Sequence, residues 1–148
     1  MKRIRRILHP SDFSRASRPA FAHAIDFAKL ARAELTIVHV LAPAIPYVGE
    51  GYVSPQLYDQ LFADLHARAQ KQLSRLVAKA RAAGIRTKGI LAEGAPHDRI
   101  IRAARAWRAN LIVMGTHGHT GLSRVILGSV AARVVATARC PVLTVRSR

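Results

Sequence analysis

Apolar residues along this chain follow two kinds of spacing. Short apolar runs predict five strands, which cover Ile4 to His9, Leu35 to Val40, Ile85 to Leu91, Leu111 to Met114 and Pro141 to Val145. Between these runs, apolar residues recur three and four positions apart, which is typical of helices that pack one face on a sheet. This alternation predicts an α/β fold: an open parallel five-stranded sheet with helices on both faces, of the Rossmann-like kind.

Four helices are expected between the strands. The first follows the turn at Asp12, and the longest runs from Gln56 to Ala83 with Gly84 as its C-cap. The third runs from Pro96 to about Ala109, and the fourth covers Val130 to Thr137. The segment from Ala42 to Pro55 contains three prolines and two glycines, so it is a candidate lid over a ligand. No linker or repeat interrupts the 148 residues, which predicts a single domain over 1–148.

A glycine-containing loop separates the fourth strand from the last helix. Gly115 and Gly118 follow the strand, and Gly128 and Ser129 stand at the helix start. Glycines permit φ > 0 and close approach of N–H groups to an anion, and a helix N-terminus presents further N–H groups; Ser129 can also cap that helix. The spacing differs from that of a P-loop and from G-x-G-x-x-G. The sequence therefore predicts a different kind of phosphate site.

The pattern Gly-x2-Gly-x9-Gly-Ser resembles the ATP-binding signature of the universal stress proteins. The resemblance extends to the first strand and acidic turn (Arg6 to Ser14), the fourth strand (Leu111 to Gly118) and the closing strand (Cys140 to Val145), so it covers essentially the whole chain. His9 departs from it, since an aliphatic residue is more usual there, as does Asn110, where an Asp is common. Neither departure affects the phosphate glycines, and the chain resembles the ATP-binding branch.

The resemblance implies roles for individual residues. Asp12 would lie beside the ribose near the Pro10 backbone, although an Asp here can instead cap the first helix. Val40 would contact adenine through its backbone. N–H groups of the glycine loop would hold the phosphates, while His117 and His119 are either phosphate donors or uninvolved loop residues. The expected nucleotide-binding residues are Pro10, Asp12, Val40, Met114, Gly115, Gly118, His119, Gly128, Ser129 and Val130.

The expected ligand is ATP, together with Mg²⁺ that the triphosphate and water would hold, because no metal site formed by protein side chains is evident. No residue can be assigned the positioning of water or the stabilisation of a transferring phosphoryl group, so at most slow ATP hydrolysis is expected. The sequence thus indicates an ATP-binding regulatory protein of the stress response. Two alternatives stay open: a dimeric interaction module that works through its basic surface or partner binding, and a true adenine-nucleotide hydrolase.

Charge and apolar content limit the expected partners. The net charge is +16, from 24 Lys and Arg against 8 Asp and Glu. Arg99, Arg102, Arg105 and Arg108 recur every third residue and are expected on a dispersed, solvated face. Without aromatic residues among the basic ones, no specific nucleic-acid binding is expected.

The absence of long apolar runs and the single Cys140 predict a cytoplasmic protein without membrane contact. Resemblance implies a homodimer through the C-terminal strand.

Overall fold

The computed structural model describes residues 3–43, 53–117 and 127–147. Its strands form one sheet of β1 (Arg6–Pro10), β2 (Glu34–Leu41), β3 (Thr87–Glu93), β4 (Leu111–Gly115) and β5 (Val142–Val145). The spatial order is β3-β2-β1-β4-β5, and each neighbouring pair is parallel. The predicted parallel five-stranded α/β fold is confirmed.

Helices connect these strands: α1 (Arg18–Ala31), α2 (Pro55–Ala82), α3 (Pro96–Ala106) and α4 (Ser129–Thr137). The predicted bounds of α2 are close, but the expectation that Gly84 is the C-cap is wrong: the C-cap is Ala83, and Gly84 follows it with a φ of +84°. The first helix follows the turn at Asp12 as expected, although it begins only at Arg18. A short 3-10 turn, Arg15–Ser17, intervenes and its N-cap is Ser14.

Each face of the sheet has its own apolar core, as expected for a parallel sheet covered by helices on both sides. Neighbouring residues of a strand point to opposite faces. Ile7 accordingly packs in the core beneath α1 and α2, whereas Leu8 packs in the core beneath α3 and α4; all four of these helices contribute buried residues. None of the helices in the described ranges combines the length and apolarity needed to cross a membrane.

The strand order creates a gap at one end of the sheet. The chain moves from β1 to β2 on one side and returns to β4 on the other side of β1. Connections that follow β1 and β4 therefore run over opposite faces, which leaves a crevice at the carboxyl ends of these strands.

Candidate functional site

A cavity of about 480 Å³ lies at the carboxyl ends of β1, β2 and β4. It brings together every predicted site residue that the structure describes: Pro10, Asp12, Val40, Met114, Gly115, Gly128, Ser129 and Val130. Gly118 and His119 lie outside the described residues, as does most of the candidate lid between Ala42 and Pro55. Segments far apart in sequence thus meet at the switch point of the sheet.

The turn after β1 is held by one hydrogen bond to β2 and one within the turn itself. The Ser11 N–H donates to the Val38 carbonyl over 2.9 Å, and the Ser11 hydroxyl oxygen accepts from the Phe13 N–H over 3.2 Å. Phe13 adopts a φ of +64°, a left-handed conformation that is uncommon for a bulky residue. The chain consequently bends away from the sheet directly after Ser11 and leaves Asp12 at the cavity.

Asp12 is oriented by Ser14. Its Oδ1 accepts hydrogen bonds from the Ser14 N–H at 3.0 Å and from the Ser14 hydroxyl at 2.6 Å. The interpretation of Asp12 as the cap of the first helix is wrong, because Ser14 caps the 3-10 turn and α1 begins only at Arg18. The carboxylate is half-buried at the cavity wall, which suits a group that accepts from a ligand hydroxyl.

His39 adds a polar wall that the sequence did not predict. Its Nδ1 lies 2.7 Å from the Ser11 carbonyl oxygen, a contact in which the ring N–H donates. The imidazole also stacks on the Phe13 ring, with 4.1 Å between the ring centroids and 25° between their planes. These contacts fix one side of the cavity.

The β2 backbone beyond Val38 faces the cavity on its β1 side. The β1–β2 ladder ends at the pair Pro10–Val38, and the Val38 carbonyl accepts from Ser11. Because the backbone groups of a strand alternate between its two neighbours, Val40 directs its N–H and carbonyl to the same side as Val38, beyond that last pair. Val40 lines the cavity.

The first turn of α4 forms the opposite wall. The Ala132 N–H makes the first helical hydrogen bond, to the Gly128 carbonyl at 2.9 Å. The N–H groups of Ser129, Val130 and Ala131 therefore have no acceptor within the helix, and all three residues line the cavity. The expected capping by Ser129 is wrong: Ser129 is the first helical residue, and Gly128 is the N-cap.

The glycines of the loop are needed for a different reason than positive φ. Gly128 has a φ of −58°, and Gly115 is not among the glycines with positive φ, so this part of the expectation is wrong. A Cβ on Gly128 would instead lie 2.9 Å from the Thr116 carbonyl oxygen, closer than real Cβ contacts. A Cβ on Gly115 would make only ordinary contacts, the nearest at 3.5 Å.

His117 lies at the end of β4 with one ring nitrogen unsatisfied. Its Nδ1 is 2.9 Å from the Thr116 hydroxyl oxygen. Its Nε2 is buried and has no hydrogen-bond partner in the described part of the chain. Because buried polar atoms are nearly always paired, an atom of this kind on a cavity-lining residue indicates a place for a ligand.

His9 is fully buried beneath the cavity and is not part of its lining. Its Nδ1–H donates to the Val113 carbonyl at 2.8 Å, and its ring lies 5.5 Å from that of Phe21. Burial lowers the pKa of His9 from 6.5 to about 4, against smaller raising effects of the Val113 bond and of Asp12. His9 is therefore a neutral core residue at physiological pH.

An apolar wall comes from α3, and the sequence did not identify it. Pro96 and Ile100 line the cavity from the start of this helix. Their position directly after the carboxyl end of β3 is the signal that would have found them, since loops at that end of a parallel sheet surround its ligand site. Within the described ranges, no group of three His, Cys, Asp or Glu side chains could hold a metal ion.

The chain is similar to one family of known proteins along most of its length. The model of the universal stress protein family matches residues 3–146. Universal stress protein MJ0531 of Methanocaldococcus jannaschii is 39% identical over 145 residues, which are 96% of this chain and 82% of that protein. YxiE of Bacillus subtilis is 34% identical over 139 residues, 91% and 94% of the two chains.

Solved structures of similar proteins share the fold. The structure of MJ0577 from M. jannaschii matches with a TM-score of 0.86 at 28% identity over 99% of both chains. A universal stress protein in complex with cAMP matches with a TM-score of 0.70 at 24% identity, over 99% of this chain and 100% of that one. One from Archaeoglobus fulgidus in complex with dAMP has a TM-score of 0.65 at 22% identity, with the same coverage.

Proposed function

This chain belongs to the universal stress protein family, and from that premise we propose that its cavity binds an adenine nucleotide, ATP with Mg²⁺, whose presence regulates the protein in the stress response. The observation that carries the proposal is the first turn of α4. Its first three N–H groups, at Ser129, Val130 and Ala131, have no acceptor within the helix, and these residues line a cavity of about 480 Å³, a volume within the usual range of small-molecule sites.

The phosphates would bind at α4. The free N–H groups and the positive end of the helix dipole both favour an anion at this position. The buried Nε2 of His117 supplies another polar atom for a phosphate oxygen. Gly118 and His119 belong to the same proposal through the sequence pattern alone. The N–H groups of α4 belong to the backbone, so they can hold phosphate without a nearby lysine.

The adenine would lie between β2 and α3. Ile100 and Met114 are buried residues that give the cavity apolar surface, and the Val40 backbone offers a donor and an acceptor at its edge. An aromatic base with polar edges fits such surroundings, which are typical of nucleotide pockets. Two proteins of the same fold form complexes with cAMP and dAMP, both adenine nucleotides, and this supports the assignment of the base.

The ribose would contact the turn after β1. Asp12, held by Ser14, is an acceptor for a ribose hydroxyl, and Pro10 lies beside it in the lining. Mg²⁺ would be held mainly by phosphate oxygens and water, as is usual for this ion with nucleotides. The ion would neutralise part of the triphosphate charge.

Rapid hydrolysis does not fit the lining. Among the described residues around the cavity there is no lysine or arginine to stabilise a transferring phosphoryl group. Asp12 carries the one carboxylate in the described part of the lining, and its Oδ1 accepts from Ser14. We therefore propose binding with at most slow turnover, so that the bound state itself carries the signal.

The edge of the sheet offers a surface for a second copy of the chain. In the described sheet, β5 is an edge strand, and an unpaired edge favours further strand pairing. We propose that two copies pair through β5 as a homodimer. In this assembly the nucleotide site and the interface are linked by β4, which pairs with β5 and ends at Gly115.

The proposal is tested by removing one N–H donor from α4 while preserving the helix. Ser129→Pro does this, because proline is favoured at the first helical position and Gly128, with φ −58° and ψ 154°, has a conformation that suits a residue before proline. Ser129→Ala is the matched control, since it removes the hydroxyl and keeps the N–H.

Titration calorimetry would compare ATP binding by the wild type and both variants. We expect Ser129→Pro to bind ATP about tenfold more weakly than Ser129→Ala, which corresponds to about 1.4 kcal/mol. Circular dichroism would verify that both variants keep their helices. Equal affinities in two folded variants would contradict the backbone cradle, and absence of ATP binding by the wild type would contradict the proposed function as a whole.

A further inference from the structure

A second cavity, of about 270 Å³, lies at the opposite end of the sheet from the nucleotide cavity. It is formed where α3 ends and where the chain passes from α4 into β5. Ile101, Ala104 and Cys140 contribute apolar surface and pack in the same core. Burial raises the pKa of the Cys140 thiol, which agrees with an apolar floor.

Three arginines line this cavity: Arg105, Arg108 and Arg139. Their even sequence spacing predicted that Arg105 and Arg108 lie on a dispersed helix face. Both residues are exposed as expected, but the predicted helix to about Ala109 ends at Ala106, so Arg108 lies beyond α3, where its N–H donates to the Arg105 carbonyl at 3.0 Å. Arg139 reaches the same cavity from a segment more than thirty residues away.

None of these arginines has a carboxylate partner within the described ranges. The ion pairs found there are Arg86–Glu34 and Arg102–Asp98, neither of which borders this cavity. Like charges on three arginines that line one hollow repel one another, and this repulsion falls when an anion binds among them. The chain's net charge of +16 further favours an anionic occupant.

We propose that this arginine hollow (Arg105, Arg108 and Arg139 above Ile101, Ala104 and Cys140) binds a small multivalent oxyanion that carries phosphate or carboxylate groups. Guanidinium groups form paired N–H···O bonds to both kinds of group. The volume of about 270 Å³ is below the usual range for drug-sized ligands and suits a compact anion rather than a second nucleotide. The hollow would give the protein an anion-sensing site separate from the nucleotide cavity.

Cys140 provides a local reporter, because it is the only cysteine of the chain and lines the hollow. Its alkylation by iodoacetamide would be timed at fixed pH while pyrophosphate, citrate or chloride is added at constant ionic strength. Pyrophosphate tests the phosphate source and citrate the carboxylate source. We expect at least one of the two to slow alkylation saturably, by about tenfold at ten times its Kd, and chloride to have no such effect.

Two triple variants separate the hollow from general charge effects. The hollow variant lacks all three guanidinium groups and combines Arg105→Gln, Arg108→Gln and Arg139→Gln. The control variant loses the same charge from exposed positions on α2 and combines Arg68→Gln, Lys71→Gln and Arg75→Gln. Helix α2 packs on the other face of the sheet.

We expect the control to keep the protection of Cys140 and the hollow variant to lose it, with unchanged circular dichroism in both. Equal protection in the two variants would overturn the proposal. Failure of both pyrophosphate and citrate to protect the wild-type thiol would overturn it as well, and this result requires no variant. Neither outcome bears on ATP binding, so the two proposals are tested separately.

Discussion

The carbonyl oxygen of Thr116 accepts a hydrogen bond from the Gly128 N–H at 2.8 Å, and a Cβ on Gly128 would lie 2.9 Å from that same oxygen. The bond joins the end of β4 to the start of α4. The short distance also explains why position 128 is a glycine. A side chain there would force the backbone of β4 and the backbone at the start of α4 apart. This one contact sets the direction in which the free N–H groups of α4 point.

Gly128→Ala should therefore weaken ATP binding by changing the course of the backbone. The new Cβ has to move away from a backbone oxygen, and the first turn of α4 would shift with it. We expect the affinity for ATP to fall more than about tenfold, as when one charge-assisted N–H contact worth about 1.5 to 3 kcal/mol is lost. Calorimetry would measure the affinity and circular dichroism the folding.

Gly115→Ala is the matched control for this variant. Its Cβ would approach the Ala16 carbonyl oxygen no closer than 3.5 Å, an ordinary contact, and the residue also lines the cavity. We expect the Gly115 variant to keep most of the ATP affinity. If both variants bind ATP equally well, the Thr116–Gly128 contact does not position the site.

Asp12→Asn should distinguish the ribose contact from the phosphate contact. The substitution keeps an Oδ1 acceptor for Ser14 and removes the negative charge. A charge-assisted hydrogen bond from a ribose hydroxyl would be lost, so we expect ATP to bind about tenfold more weakly. Inorganic tripolyphosphate has no ribose, and loss of a nearby negative charge should leave its affinity unchanged or increase it.

Calorimetric titrations with both ligands would test this difference. A parallel loss of affinity for ATP and tripolyphosphate would place Asp12 at the phosphates and not at the ribose. If ATP and tripolyphosphate both bind the variant as tightly as the wild type, Asp12 does not contact the nucleotide.

The sequence was sufficient for the architecture because apolar periodicity directly reflects burial in strands and helices. It also indicated where the cavity would lie, since Asp12, Val40 and Gly115 each lie at or just past the carboxyl end of a strand, and the carboxyl ends of parallel strands share one edge. Contacts that depend on turn geometry could not be predicted in this way. His39 stacks on Phe13, a residue with positive φ, and the sequence does not predict positive φ at a phenylalanine.

Helix ends were predicted less well for a similar reason. A serine beside a glycine at a helix start favours capping by the serine, yet the bond from Gly128 to Thr116 makes the glycine the N-cap. The second cavity was also missed, because Arg139 and Arg105 line it together only through the tertiary pairing of β4 with β5. The N-cap of α4 and the lining of the second cavity thus both depend on tertiary contacts, which local sequence patterns do not reveal.

His9 should make the protein less stable as the pH decreases. Its pKa is about 4 in the folded chain, against 6.5 ordinarily, chiefly because of burial. Between these two values the unfolded chain binds a proton that the folded chain does not. The free energy of unfolding therefore falls as the pH drops through this window, by about 3 kcal/mol in all, and this contribution is fully present above pH 6.5.

Urea unfolding from pH 7 to pH 4 would measure this dependence. His9→Leu removes the titrating group from the core, so its free energy of unfolding should vary less with pH than that of the wild type. His66→Leu, at an exposed position on α2, is the control and should keep the wild-type slope. An unchanged slope in the His9 variant would show that other groups determine the acid sensitivity.

The proposed homodimer can be tested at one backbone position of β5. The Ile112 N–H donates to the Pro141 carbonyl, and the Thr116 N–H donates to the Val145 carbonyl. Backbone groups alternate along a strand, so Thr144 directs its own N–H and carbonyl away from β4, towards the free edge. Thr144→Pro should therefore remove a donor from that edge without breaking the β4–β5 ladder, as edge strands tolerate proline.

Thr144→Val is the control, because it keeps the N–H and a strong preference for strand conformation. Sedimentation equilibrium would compare the wild type with both variants, and thermal unfolding would verify that they fold. We expect the wild type and the valine variant to be dimers and the proline variant to be a monomer, because a second β5 strand can no longer pair along the whole edge. A folded proline variant that remains dimeric would show that the two copies associate through a different surface.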